Sequence, residues 1–93
     1  MAIVEVSVSP IGKGVSVGKY VKMAVALFRK KGFKMFHSPM GTCIEGELDE
    51  IFDVVREAHE LLAKNGVKRI STLIKIDDRR DKKATMKQKM RVF

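Results

Sequence analysis

From Ile3 to Ser9 the chain alternates without a break. Val4, Val6 and Val8 fall on one face, Glu5 and Ser7 on the other. A period of two with one apolar face predicts a half-buried strand. Pro10 is expected to end it, with Pro10-Ile11-Gly12-Lys13-Gly14 as a loop. The period then changes. Val17, Tyr20, Val21, Ala24, Leu27 and Phe28 recur at helical spacing, with Lys19, Lys22, Arg29 and Lys30 elsewhere. Ser16 is the expected N-cap. Lys30 and Lys31 suit the negative end of the helix dipole, and Gly32 suits a left-handed C-cap.

Phe33 to Ser38 and Thr42 to Glu47 read as two strands joined by a hairpin at Pro39-Met40-Gly41. Leu48 to Asn65 reads as a second helix, with Leu48, Ile51, Phe52, Val55, Ala58 and Leu62 as its apolar stripe. Asp49, Glu50 and Asp53 sit near its positive end, and Asn65-Gly66 closes it. Arg69 to Asp77 alternates again, Ile70, Thr72, Ile74 and Ile76 against Ser71, Leu73, Lys75 and Asp77. The order β-α-β-β-α-β is the ferredoxin-like plan. Right-handed crossovers place both helices on one face of a four-stranded antiparallel sheet, an α+β sandwich. The strand order expected of that plan is 4-1-3-2. Glu5 and Ser7 then join Glu45, Lys75, Leu73 and Cys43 on the face without helices. An open face that mixes leucine with charges is expected to meet another subunit.

The chain has 93 residues, which predicts one domain with a modest core and makes assembly a natural supplement. No apolar run approaches the roughly 18 residues of a membrane span. The first residues carry no signal-peptide pattern, and a single cysteine, Cys43, fits a reducing cytoplasm. The formal charge of +8 is uneven: residues 79–91 hold seven basic groups and one acid. We therefore divide the chain into a domain, residues 1–78, and a basic extension, residues 79–93. The extension is expected to form at most a short helix through Met86 and Met90, and to add little to folding. A basic tail can attract nucleic acid. An RNA-binding ferredoxin-like module is accordingly the alternative function, but it needs aromatics on the open face, where the first strand offers Glu5 and Ser7.

Catalytic and metal constellations are missing from the pattern. Gly12-Lys13-Gly14-Val15-Ser16-Val17-Gly18-Lys19 follows a strand and opens a helix, but its glycines are one residue too far apart for a dinucleotide or triphosphate loop. His37, Cys43 and His59 lack the compact spacing of a zinc site. Cys43 has an acidic neighbour, which raises a thiol pKa. No serine has an evident histidine–acid escort. We expect no enzyme, no metal and no cofactor.

Glu45 stands mid-strand, where a charge must be solvated, paired or used. Two roles are open to it: a cross-strand partner of Lys75, or the counter-charge of a flat, partly cationic ring. Met40, Gly41 and Thr42 precede it with a soft wall, a tight turn and a hydroxyl. These residues carry a family resemblance. Pro39-Met40-Gly41-Thr42-x-Ile44-Glu45-Gly46, His59 in the second helix and Lys75-Ile76-Asp77-x-Arg79 resemble the small single-domain proteins of the YkoF-like thiamine-binding superfamily. The match extends to Val6, Pro10, Gly12 and Tyr20-Val21.

The resemblance implies a ferredoxin-like subunit assembled as a dimer of dimers. It implies binding of thiamine or its hydroxymethylpyrimidine fragment rather than turnover. The positions that match the family motif are Met40, Gly41, Thr42, Glu45, Lys75, Asp77 and Arg79. With no tryptophan and one tyrosine, stacking on a pyrimidine is expected to fall to Phe33 or Phe36.

Overall fold

The structure, a computed structural model, describes residues 1–93. Its elements run β1 (Ala2–Ile11), α1 (Gly18–Lys30), β2 (Lys34–Ser38), β3 (Gly41–Gly46), α2 (Leu48–Lys64), β4 (Arg69–Asp77) and α3 (Met86–Met90). The four strands form one antiparallel sheet in the order β2-β3-β1-β4. This is the ferredoxin-like arrangement that the periodicity predicts.

The register assigns each face. One face carries the row Met35, Ile44, Val4, Ile76 and the row His37, Thr42, Val6, Ile74. Helices α1 and α2 cover this face. Val4, Val6, Ile44, Phe28, Ile51, Val54, Ala58 and Leu62 are buried there. Each such side chain contributes about 1.5–3 kcal/mol by leaving water. The other face carries Lys34, Glu45, Ile3, Asp77 in one row and Phe36, Cys43, Glu5, Lys75 in the next.

Several details depart from the sequence expectations. Pro10 does not end β1 but lies inside it, opposite Ile70. Alternation explains why it is tolerated. Ser38 and Gly41 pair across a two-residue turn, so Gly41 directs its N–H and C=O at β2. Thr42 then directs its own at Val6, and Val8 and Pro10 face the same way as Val6. The Val6 oxygen agrees: it lies 3.3 Å from where a Gly41 Cβ would stand. β3 has turned away beyond this point, so the missing N–H of Pro10 costs no ladder bond.

Ser16 does not cap α1. Val17 occupies the N-cap and makes no side-chain cap bond. At the other end, Gly32 has φ +82° and ends α1 as expected. In α2, Val54 is buried while Phe52 is exposed, so the buried stripe runs through Ile51, Val54, Val55, Ala58 and Leu62. Gly46 is closed in by the Phe33 ring, 2.9 Å from an added Cβ.

The extension lies on the open face. Thr85 accepts from the Gln88 N–H at 3.1 Å and Gln88 Oε1 accepts from the Thr85 N–H at 3.3 Å, a reciprocal cap that starts α3. The Met86 N–H donates to Glu45 Oε1 at 2.9 Å, and Lys89 pairs with Asp77.

Candidate functional site

The hairpin motif forms one wall of a half-enclosed cavity of about 320 Å³. Met40, Gly41 and Thr42 come from the turn and β3, His37 and Ser38 from β2. The opposite wall is α1, through Val21, Ala24, Val25 and Phe28, and the third side is the backbone of β1 from Val6 to Ser9. Ser38 holds the turn: its hydroxyl donates to the Gly41 carbonyl at 3.2 Å and accepts from the Met40 N–H at 3.3 Å. Thr42 is buried, and its Oγ1 lies 3.3 Å from His37 Nδ1. The cavity therefore combines apolar walls with a hydroxyl–imidazole pair and a strand edge. No carboxylate lines it. Phe28 is its aromatic residue. Phe33 packs over Gly46 and Phe36 stands on the open face.

The remaining motif residues are elsewhere. Glu45 lies on the opposite face of the sheet from Thr42, buried beneath the start of α3. It does not face Lys75 across the sheet: its cross-strand neighbours are Ile3 and Lys34, and Lys75 faces Glu5. Its open alternatives as ring counter-charge or lysine partner thus meet a third use, as acceptor for the helix. Lys75 and Asp77 border a trough of about 430 Å³ between the open face and α3, with Glu5, Cys43, Phe36 and Met90. Arg79 lies apart from both cavities, in a basic recess with Arg80, Lys82 and Lys83. Its guanidinium grips Asp81 through Nε at 2.6 Å and Nη2 at 3.0 Å.

Charge pairing explains the shifts of Asp77, Arg79 and Asp81, and burial leads that of Cys43. The Lys89 bond and charge, helped by Arg79 and Lys75, hold the Asp77 carboxyl below the ordinary carboxylate range. The bond to Asp81 raises Arg79, and the reciprocal bond lowers Asp81. Burial, then the Glu5 charge and a 3.9 Å contact to Glu5 Oε2, push the Cys43 thiol up. A thiol held protonated is a poor nucleophile. His37 and Cys43 do not converge, because they point to opposite faces. His59 is engaged with Thr72, Nε2 to Oγ1 at 2.6 Å, between α2 and β4.

Sequence reasoning missed His37, Ser38 and the β1 edge as parts of one cavity. The signal was the turn length: a two-residue loop puts His37 opposite Thr42 and ends β3 short of Val8.

The family model for "Thiamine-binding protein" matches residues 4–93, the hairpin, its cavity and the extension included. The chain belongs to the thiamine-binding protein family. Members similar to it include the UPF0045 protein MJ1052 of Methanocaldococcus jannaschii, 45% identical over 91 residues that cover 98% of this chain and 90% of that protein. The UPF0045 protein YqgV of Bacillus subtilis is 41% identical over 95 residues, covering 97% and 91%. The crystal structure of MJ1052 superposes with a TM-score of 0.90 at 44% identity, over 98% of this chain and 93% of that one. A crystal structure from Thermotoga maritima, described as that of a candidate thiamine biosynthesis or salvage protein, gives a TM-score of 0.85 at 25% identity over 98% and 96%. No helix of this family member is long and apolar enough to cross a membrane.

Proposed function

We propose that this chain binds thiamine or its hydroxymethylpyrimidine part without turning it over. One observation carries the reading beyond family membership. Met40, Gly41 and Thr42 wall a cavity of about 320 Å³, within the size range of small-ligand sites, with apolar sides and a few converging polar groups. The pyrimidine ring fits between Met40 and the α1 side chains, with the Thr42 hydroxyl and His37 at its polar edge. Because no carboxylate lines the cavity, the neutral pyrimidine supplies the affinity and the thiazolium points outward.

Subunit assembly is the second part of the proposal. β4 is a nine-residue edge strand, and Leu73 on the open face is 73% exposed. Both features favour a partner copy. We place a homotetramer, a dimer of dimers, on those two surfaces, one two-fold contact at each, since soluble homo-oligomers mostly close into such point groups.

Isothermal calorimetry with thiamine, its phosphates and hydroxymethylpyrimidine tests the ligand. Thiamine and the pyrimidine should bind within about tenfold of each other, with both recovered unchanged. Binding of thiamine alone would refute the pyrimidine as the source of affinity, and conversion of either compound would refute binding without turnover. Light scattering at micromolar protein should give about four subunits, and a stable monomer would refute the assembly.

A further inference from the structure

We infer that the main chain of Val8 is the element that recognises the pyrimidine, reading its ring nitrogen and neighbouring amine as a paired strand would. The inference rests on the ligand reading above and assigns its specificity to a backbone position. β1 is paired on both sides from Ile3 to Val6, but beyond Val6 it has only β4. The alternation that explains Pro10 also fixes Val8. Its N–H and C=O point to the side that β3 has left, between the hairpin tip and α1. Val8 is the single residue in this position. Val6 is engaged with Thr42, Ser7 and Ser9 face β4, and Pro10 has no N–H.

A donor and an acceptor thus sit side by side on the wall of a largely apolar cavity, where an unmet backbone group is costly. A ligand that presents an acceptor next to a donor meets both needs. A 4-aminopyrimidine does so in its ring plane: the ring nitrogen accepts from the Val8 N–H and the exocyclic amine donates to the Val8 C=O. The ring faces then meet Phe28, Val21 and Met40.

A peptide strand is the competing occupant of any free sheet edge. Here it would gain only one residue's pair of bonds. Pro10 denies the next donor, and the Pro39-Met40 turn closes the other end. The site suits a short planar donor–acceptor edge, and its selectivity falls on the amine. A pyrimidine with hydrogen in place of the amine loses one bond, and a carbonyl there sets acceptor against acceptor.

The test compares hydroxymethylpyrimidine with its desamino analogue, 5-hydroxymethyl-2-methylpyrimidine, by calorimetry on the full chain and on Val8→Pro. The proline removes the Val8 N–H without touching the β4 ladder, as Pro10 does two residues later. The unaltered chain should bind the aminopyrimidine about three- to tenfold more tightly than the analogue, one hydrogen bond's worth. Val8→Pro should weaken the aminopyrimidine by a similar factor. A second measurement needs no variant. Exchange of the Val8 amide should slow on adding the aminopyrimidine, while the Ser7 and Ser9 amides, already in the β4 ladder, change little. Equal affinity for both compounds, or Val8 exchange untouched by a bound aminopyrimidine, would overturn the assignment and leave the thiamine reading standing. Failure of the chain to bind either thiamine or hydroxymethylpyrimidine would overturn both.

Discussion

Glu45 joins the domain to its C-terminal extension, and replacing it measures how much that junction is worth. The residue is 6% exposed, and its carboxylate accepts the Met86 N–H at 2.9 Å, at the first turn of α3. Glu45→Gln keeps the shape and an acceptor oxygen and removes the charge. A hydrogen bond to a charged group contributes about 1.5–3 kcal/mol and a neutral one about 0.5–1.5, so the change should cost about 1 kcal/mol. In a chain of this length that is a fall in Tm of about 4–8 °C. Glu45→Ala removes the acceptor altogether and should cost about twice as much. The loss belongs to the junction and not to the sheet, so it should vanish once residues 82–93 are deleted. A double-mutant cycle by thermal circular dichroism therefore reads the coupling directly. Trypsin should reach Lys87 and Lys89 sooner in Glu45→Ala than in the unaltered chain. If Glu45→Gln cost the same with and without residues 82–93, Glu45 would not couple the extension to the sheet. Ligand affinity supplies an independent check. Because Glu45 lies across the sheet from the hairpin cavity, Glu45→Gln should leave pyrimidine binding unchanged within about twofold.

Thr42→Val should weaken hydroxymethylpyrimidine about two- to tenfold by calorimetry, as one neutral hydrogen bond is removed. Gly46→Ala should destabilise by about 1–3 kcal/mol in urea, because its Cβ would stand 2.9 Å from Phe33 Cε1 and the ring must shift. Acid should release α3. The Asp77 carboxyl titrates below its unfolded value, so its pair with Lys89 stabilises docking above about pH 3.9 and is lost as pH falls through the lowered native value. Methyl resonances of Met86 and Met90 should report that release, and Asp77→Asn should remove this part of the acid response.

The fold was legible because its signals are local. Alternation in β1 and β4 and the helical spacing of α1 and α2 each name one element, and their order leaves one simple sandwich. Pro10 misled because its tolerance depends on what lies beside it. A proline ends a strand paired on both sides, but here β3 stops at Gly41 and leaves that side unpaired. Val54 and Phe52 exchanged roles for a similar reason, since helical spacing fixes a stripe only to within one residue either way. The seven motif residues share a sequence signature without sharing a place. Thr42 and Glu45 differ by three positions on a strand, so they must face opposite ways, a separation written in the alternation itself. The extension was the least legible part. Its Thr-x-x-Gln cap at Thr85 and Gln88 announces a helix, but no pattern says that the helix will settle on Glu45, some forty residues earlier.

The proposed function stands on a ligand cavity between the hairpin and α1. Amide shifts of the full chain, mapped during titration with hydroxymethylpyrimidine, locate the ligand. The largest saturable shifts should fall on Thr42, Val8, Val21 and Ala24, with Ile3, Lys75 and Asp77 nearly still. Shifts concentrated on Ile3, Lys75 and Asp77 would place the ligand in the open-face trough, and no saturable shift anywhere would contradict binding itself.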